Sequence, residues 1–263
     1  MTEPMVYIIG AGPGDPELVT VKGKRLIEEA DLILYTDSLV NPDLFKNIKS
    51  EAVVQKSAGM DLEEIVQVMV EAAKKGKKTA RVHTGDPTVY GAILEQMKKL
   101  AEEGIEAEIV PGVSSAFAAA ASAGLELTVP ELTQTVILTR AEGRTPMPDK
   151  EKLVDLASHQ CSIALFLSAT LIKKVVREFL EAGWTQEDAA VVVYKASWPD
   201  EKVVRTTLGN LHEDMRANGI TKQAMVIISK AADQELIQSG TYESKLYDKT
   251  FTHGYRKGVS AHE

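Results

Sequence analysis

Met5-Val6-Tyr7-Ile8-Ile9-Gly10-Ala11-Gly12-Pro13-Gly14-Asp15-Pro16 is the stretch whose reading decides the fold. Five apolar, largely β-rich residues run directly into a glycine-rich turn, the place where an α/β protein sets its first ligand loop. The turn is not a dinucleotide fingerprint. That pattern requires a third glycine and an uninterrupted helix start whose amides receive a pyrophosphate. Here Pro13 removes an amide donor between two glycines, and the carboxylate of Asp15 would repel a diphosphate. The loop therefore reads either as a ligand loop for something other than a dinucleotide or as a tight strand-to-helix turn.

Outward from this point, short β-branched runs alternate with amphipathic helical patterns. Strands are predicted over residues 5–9, 32–35, 52–55, 79–83 and 106–110, then 135–139, 162–167, 190–194, 202–207 and 225–229. Several, such as Ile163-Ala164-Leu165-Phe166-Leu167, are apolar on both faces, as strands covered on both sides must be. Asp61-Leu62-Glu63-Glu64 has the form of a capping box ahead of a stripe of Leu62, Ile65, Met69 and Ala73. Ile93, Met97, Leu100 and Ala101 form a second stripe ended by Gly104, and the apolar positions from Leu171 to Leu180 form a third, closed by Gly183. The pattern weakens around residues 123–133. We accordingly expect an α/β protein of two α/β domains with mixed sheets, over residues 1–126 and 133–235, followed by a polar extension at 236–263. The consecutive strands around Ser197-Trp198-Pro199-Asp200 predict a hairpin in the second half.

The chain has 263 residues, 44% of them hydrophobic and 5% aromatic, enough for substantial cores but poor in base-stacking platforms. A net charge of −8 argues against a nonspecific nucleic-acid binder. The single cysteine, Cys161, excludes an intrachain disulfide and a cysteine metal cage, and its place before an apolar strand reads as a buried thiol. His83, His159 and His212 lack metal-ligand spacing, so no metal site is expected. No apolar run approaches the ~20 residues of a membrane span, and the first residues carry no targeting pattern, so a cytoplasmic protein without membrane partners is expected.

Four further loops follow predicted strand ends. His83-Thr84-Gly85-Asp86-Pro87-Thr88-Val89-Tyr90-Gly91 offers a close backbone approach at Gly85 and a fixed carboxylate at Asp86. That carboxylate suits either a ligand amine or hydroxyl, or the cap of a helix beginning near Val89. Pro111-Gly112-Val113-Ser114-Ser115-Ala116 opens a helix rich in alanine, which admits either a neighbouring helix or a flat ring. The strand ends Phe166-Leu167-Ser168-Ala169-Thr170 and Val193-Tyr194-Lys195-Ala196-Ser197 carry small or hydroxyl residues.

Together these loops resemble those of the tetrapyrrole methylases, which use S-adenosylmethionine to methylate cobalamin and siroheme precursors. The resemblance runs from about residue 5 to residue 230. It is greatest toward the branch that methylates precorrin-4 at carbon 11, through residues 35–40, 111–121 and 134–148. It implies the tetrapyrrole methylase fold, a cofactor in the cleft between the domains, a homodimer, and S-adenosylhomocysteine as product. Carried over by position, it implies cofactor contacts at Pro13, Thr84, Gly85, Asp86, Val89, Ser114, Ser115, Leu167 and Ala196, and an acid–base pair near Asp37 and Lys56. A corrinoid bearing several carboxylates would need local cations, for which Arg140 and Arg144 are the expected residues, with Lys56 and Arg81 further candidates. A macromolecular methylase would share the cofactor loops, but the absence of a basic stripe speaks against RNA.

Overall fold

The computed structural model describes residues 5–36, 39–240 and 242–259. Two compact units are formed by Met1–Ala119 with Lys195–Glu201, and by Ala120–Tyr194 with Lys202–Glu263. Among the described residues no helix is long and apolar enough to cross a membrane.

The first unit contains β1 (Val6–Gly10), α1 (Val21–Glu28), β2 (Leu32–Tyr35), β3 (Val53–Lys56), α2 (Leu62–Lys74), β4 (Thr79–His83), α3 (Ile93–Glu102) and β5 (Ala107–Val110). The last helix to begin in it is α4 (Ser115–Ser122). The five strands pair in the order β3-β2-β4-β1-β5, parallel throughout. Alternation along the strands separates two apolar layers. Tyr7, Ile9, Ile33, Tyr35, Ala80 and Val82 pack with Leu26 and Ile27 of α1, whereas Val6 and Leu34 pack with Val66, Met69 and Val70 of α2 and Leu100 of α3. The expected capping box is present: Asp61 accepts from the Glu64 amide and Glu64 from the Asp61 amide, each at 2.9 Å.

This arrangement fixes where a ligand can sit. The chain leaving β1 goes to one face of the sheet, the chain leaving neighbouring β4 goes to the other, and the two loops diverge at a topological switch point. The glycine-rich loop after β1 and the loop from Thr84 onward are thus brought together at the strands' carboxyl ends.

The second unit holds β6 (Val136–Arg140), α5 (Leu153–Ala157), β7 (Ser162–Phe166), α6 (Ile172–Glu181), β8 (Ala189–Tyr194), β9 (Lys202–Thr207), α7 (Leu211–Ala217), β10 (Ala224–Ile228) and α8 (Gln234–Ser239). Its sheet order is β6-β7-β10-β8-β9, with β6 and β7 parallel and the other pairs antiparallel. The mixed pairing follows from chain length: only seven residues join β8 to β9, too few for the crossover that parallel neighbours need. Its core combines Ile163, Leu165, Val192 and Val226 with Val175 and Phe179 of α6 and with Trp184. Cys161 is buried beside it, and burial pushes its thiol pKa up, in keeping with an inert side chain.

Candidate active site

The loops at the switch point are joined by their backbones. The Ala11 amide donates to His83 O at 2.7 Å, and Gly12 and Gly85 exchange both hydrogen bonds, at 3.2 and 2.8 Å. The loop after β5 closes against them at Gly112. A Cβ on Gly112 would lie 2.2 Å from Gly85 O and 2.8 Å from Gly10 Cα, so only glycine permits this approach.

Asp86 is the polar centre of the arrangement. Oδ1 accepts from the Thr88 amide at 2.8 Å and from the Thr88 hydroxyl, while Oδ2 accepts from the Gly112 amide at 3.0 Å. Burial works against the charged form, but these three hydrogen bonds outweigh it and hold the carboxyl below its usual range. Asp86 is therefore an ionised brace between the β4 and β5 loops, and it caps no helix. The helix expected near Val89 starts instead at Ile93, because Tyr90 and Ala92 hold left-handed backbone at φ 57° and 48°.

Backbone strain recurs at the other expected contact positions. Leu167 sits at φ 52° with 71% of its surface exposed, and Ala196 is flanked by Lys195 and Ser197 at φ 47° and 66°. Non-glycine residues in this conformation are uncommon and collect at ligand sites, where function offsets their cost. Thr84, Val89 and Ser115 are part-buried, while Pro13, Gly85, Ser114 and Ala196 are buried.

The glycine-rich loop is held from outside itself. Trp198 donates its indole N–H to Pro13 O, Asn41 donates its amide to Gly14 O, and the Asp15 amide donates to Ser197 Oγ, each at 2.9 Å. A Cβ on Gly14 would meet Trp198 Nε1 at 2.0 Å, so the indole packs directly against that glycine. The amides of residues 11, 12 and 15 all point into the protein and Pro13 has none, which leaves no cradle for a phosphate. Asp15 itself accepts from the Glu17 amide. Ser197 closes the expected loop after β8, whereas Asn41 and Trp198 lie outside the expected site residues. The one available signal was a tryptophan in an otherwise polar Ser-Trp-Pro-Asp turn.

Lys56 is exposed at the carboxyl end of β3, and Asp37 lies outside the described residues. Arg81 is no substrate cation: it is 2% exposed and donates to Gln96 of α3, to Ser57 after β3 and to the Leu34 carbonyl of β2.

In the second unit, Arg140 turns back on its own loop, donating to Thr145 O at 3.2 Å and Pro146 O at 3.0 Å. Glu142 braces that loop by accepting from Lys152 at 2.8 Å and from the Met147 amide at 2.9 Å, contacts that hold its carboxyl at about 2. Arg144 is exposed on the same loop. Leu167 is followed by Ser168, whose hydroxyl accepts from the Ala141 amide at 2.8 Å and donates to Phe166 O at 2.7 Å, pinning the β6 and β7 loops together.

Residues 5–212 match the family described as Tetrapyrrole (Corrin/Porphyrin) Methylases. A cobalt-precorrin-4 C(11)-methyltransferase of Priestia megaterium is 62% identical over 97% of this chain and 99% of its own. A solved cobalt precorrin-4 methyltransferase, a cobalamin biosynthetic enzyme, superposes with a TM-score of 0.85 at 62% identity, covering 87% of this chain and 95% of that one. A uroporphyrin-III C-methyltransferase of Thermus thermophilus, solved with S-adenosylhomocysteine, gives a TM-score of 0.70 at 28% identity, covering 87% and 93%. On this match and these identities, the chain belongs to the tetrapyrrole methylase family.

Proposed function

We propose that the protein is an S-adenosylmethionine-dependent C-methyltransferase of cobalamin biosynthesis, acting on carbon 11 of cobalt-precorrin-4. The 62% identity with the Priestia enzyme over nearly the whole of both chains carries this reading. The site residues fit the cofactor. Thr84, Ser114 and Ser115 supply hydroxyls beside Gly85, and exposed Leu167 is an apolar surface held in a strained conformation. Pro13, Asp86, Val89 and Ala196 complete the proposed contact set.

S-adenosylmethionine, when bound, would supply an electrophilic methyl group whose thioether leaving group needs no protonation. The protein's part is alignment and exclusion of water. Asp86 holds the β4 and β5 loops at a fixed separation. Trp198, Asn41 and Ser197 fix the glycine-rich loop, which we assign to the corrinoid apart from the proposed cofactor contact at Pro13, because the amides of residues 11, 12 and 15 are already committed. Lys56 and Asp37 are the proposed acid–base residues for the proton lost when carbon 11 is alkylated. Arg144 presents its charge to substrate carboxylates, while Arg140 shapes the loop that carries it. We further propose a cytoplasmic homodimer with no nucleic-acid partner. Turnover of cobalt-bearing against metal-free precorrin-4, with S-adenosylmethionine saturating, tests the substrate. Faster methylation of the cobalt form is expected, and no methylation of either form would overturn the proposal.

A further inference from the structure

The central strand β4 turns Thr79, Arg81 and His83 to one face, and all three are buried. On the opposite face the same strand carries only Ala80 and Val82. Arg81 donates from Nε to Gln96 Oε1 at 3.0 Å, and from one terminal nitrogen to Ser57 Oγ at 2.9 Å and Leu34 O at 3.3 Å. Among the described residues none of its partners is a carboxylate. Burial lowers its pKa only to about 10, so it keeps its charge at neutral pH. A buried cation without a counter-charge is costly, and packing alone would favour an apolar residue.

The acceptors show what the guanidinium organises. Ser57 follows Lys56 directly, and it returns both its amide and its hydroxyl to Tyr35 O, at 2.9 and 3.1 Å. Arg81, Ser57 and the Leu34–Tyr35 backbone thus form one knot across the carboxyl ends of β4, β3 and β2. Strand β3 is an edge strand, paired only with β2, and its Val53 and Val54 are exposed. Its ladder to β2 runs to the pair Tyr35–Lys56, and Ser57 follows at once. Lys56 emerges from that end, and Asp37 follows Tyr35 by two residues in the chain.

We propose that Arg81 is a positioning residue that acts through Ser57 to fix the strand end from which Lys56 projects. The proposal rests on the reading that Lys56 takes part in methyl transfer, and the test separates the two. Arg81→Lys keeps the charge but loses the fork, and Ser57→Ala removes one of its three acceptors without disturbing the charge. Lys56→Met is made alone and combined with Arg81→Lys. Turnover is measured with S-adenosylmethionine and cobalt-precorrin-4 both saturating, alongside S-adenosylhomocysteine affinity by calorimetry.

Lys56→Met is expected to lower kcat by about 100-fold or more. Arg81→Lys and Ser57→Ala should each lower kcat by roughly 10-fold, as small misplacements of a reacting group do, with cofactor affinity within about twofold of the parent. In the Lys56→Met background, Arg81→Lys should change the residual rate by less than about twofold, because the two act as one unit. The proposal is overturned if Arg81→Lys and Ser57→Ala both leave kcat unchanged. It is equally overturned if Arg81→Lys lowers kcat by the same factor in both backgrounds. An unimpaired Lys56→Met enzyme would instead remove the reading beneath it, a result independent of the Arg81 variants.

Discussion

Replacing Gly112 with alanine should open the switch point. The new Cβ would lie 2.2 Å from Gly85 O, 2.8 Å from Gly10 Cα and 2.9 Å from Gly10 C. All three are backbone atoms, so no side chain can rotate aside, and the β5 loop must retreat by roughly 1 Å. That retreat breaks the 3.0 Å hydrogen bond from the Gly112 amide to Asp86. Overpacking of this kind costs about 1–3 kcal/mol and a hydrogen bond to a charged acceptor about 1.5–3 kcal/mol. The sum, about 2.5–6 kcal/mol, corresponds to a fall in melting temperature of roughly 5–24 °C for a chain of this size. Because the loops of Thr84–Asp86 and Ser114–Ser115 separate together, S-adenosylhomocysteine should bind at least about tenfold more weakly. Thermal unfolding and calorimetric titration read the two effects. Gly59→Ala is the control: nothing lies within 4 Å of its Cβ position, so its stability should stay within about 0.5 kcal/mol of the parent. A Gly112→Ala protein that melts with the parent and binds S-adenosylhomocysteine equally well would refute the reasoning.

Trp198→Phe keeps a ring over Gly14 but loses the donor to Pro13 O, a change of about 1 kcal/mol. Steady-state kinetics should show a roughly fivefold higher KM for the corrinoid with cofactor affinity unchanged, and the reverse pattern would remove the loop from the substrate side. Burial, reinforced by the Arg81 charge, lowers the His83 pKa from 6.5 to about 3. Between those values the unfolded chain binds a proton that the native protein does not, so stability is full above pH 6.5 and falls as pH drops toward 3. From pH 7 to pH 5 the parent should lose about 2 kcal/mol more than His83→Asn in denaturant unfolding, and equal losses would contradict the buried neutral imidazole. Arg144→Ala should raise the substrate KM by about one to two decades without changing the melting temperature. Arg140→Ala should lower the melting temperature as well, since it frees the carbonyls of Thr145 and Pro146.

Much of the fold is legible because it is local. The ten strands announce themselves through short β-branched runs, and the doubly apolar pattern of residues 163–167 places β7 inside its sheet. Asp61 and Glu64 form the box their spacing suggests, and Gly104 ends α3 at φ 71°. What escaped detection depends on distant partners. Trp198 reaches a loop 185 residues away, and Asn41 one 27 residues away, separations that no window of sequence exposes. Arg140 looks like any loop arginine until its carbonyl partners are seen, and Arg81, alternating with Ala80 and Val82 beside Thr79 and His83, looks like a cation on a solvent-facing strand face. The late start of α3 reflects strain at Tyr90 and Ala92, which composition cannot report because neither residue favours left-handed backbone.

Carbon NMR of the product formed from cobalt-precorrin-4 and S-adenosylmethionine carrying a ¹³C methyl group tests the central claim most directly. The account predicts a single enriched methyl resonance attached to carbon 11, with one equivalent of S-adenosylhomocysteine released. Enrichment at any other ring carbon, or cofactor turnover with no label on the macrocycle, would contradict it.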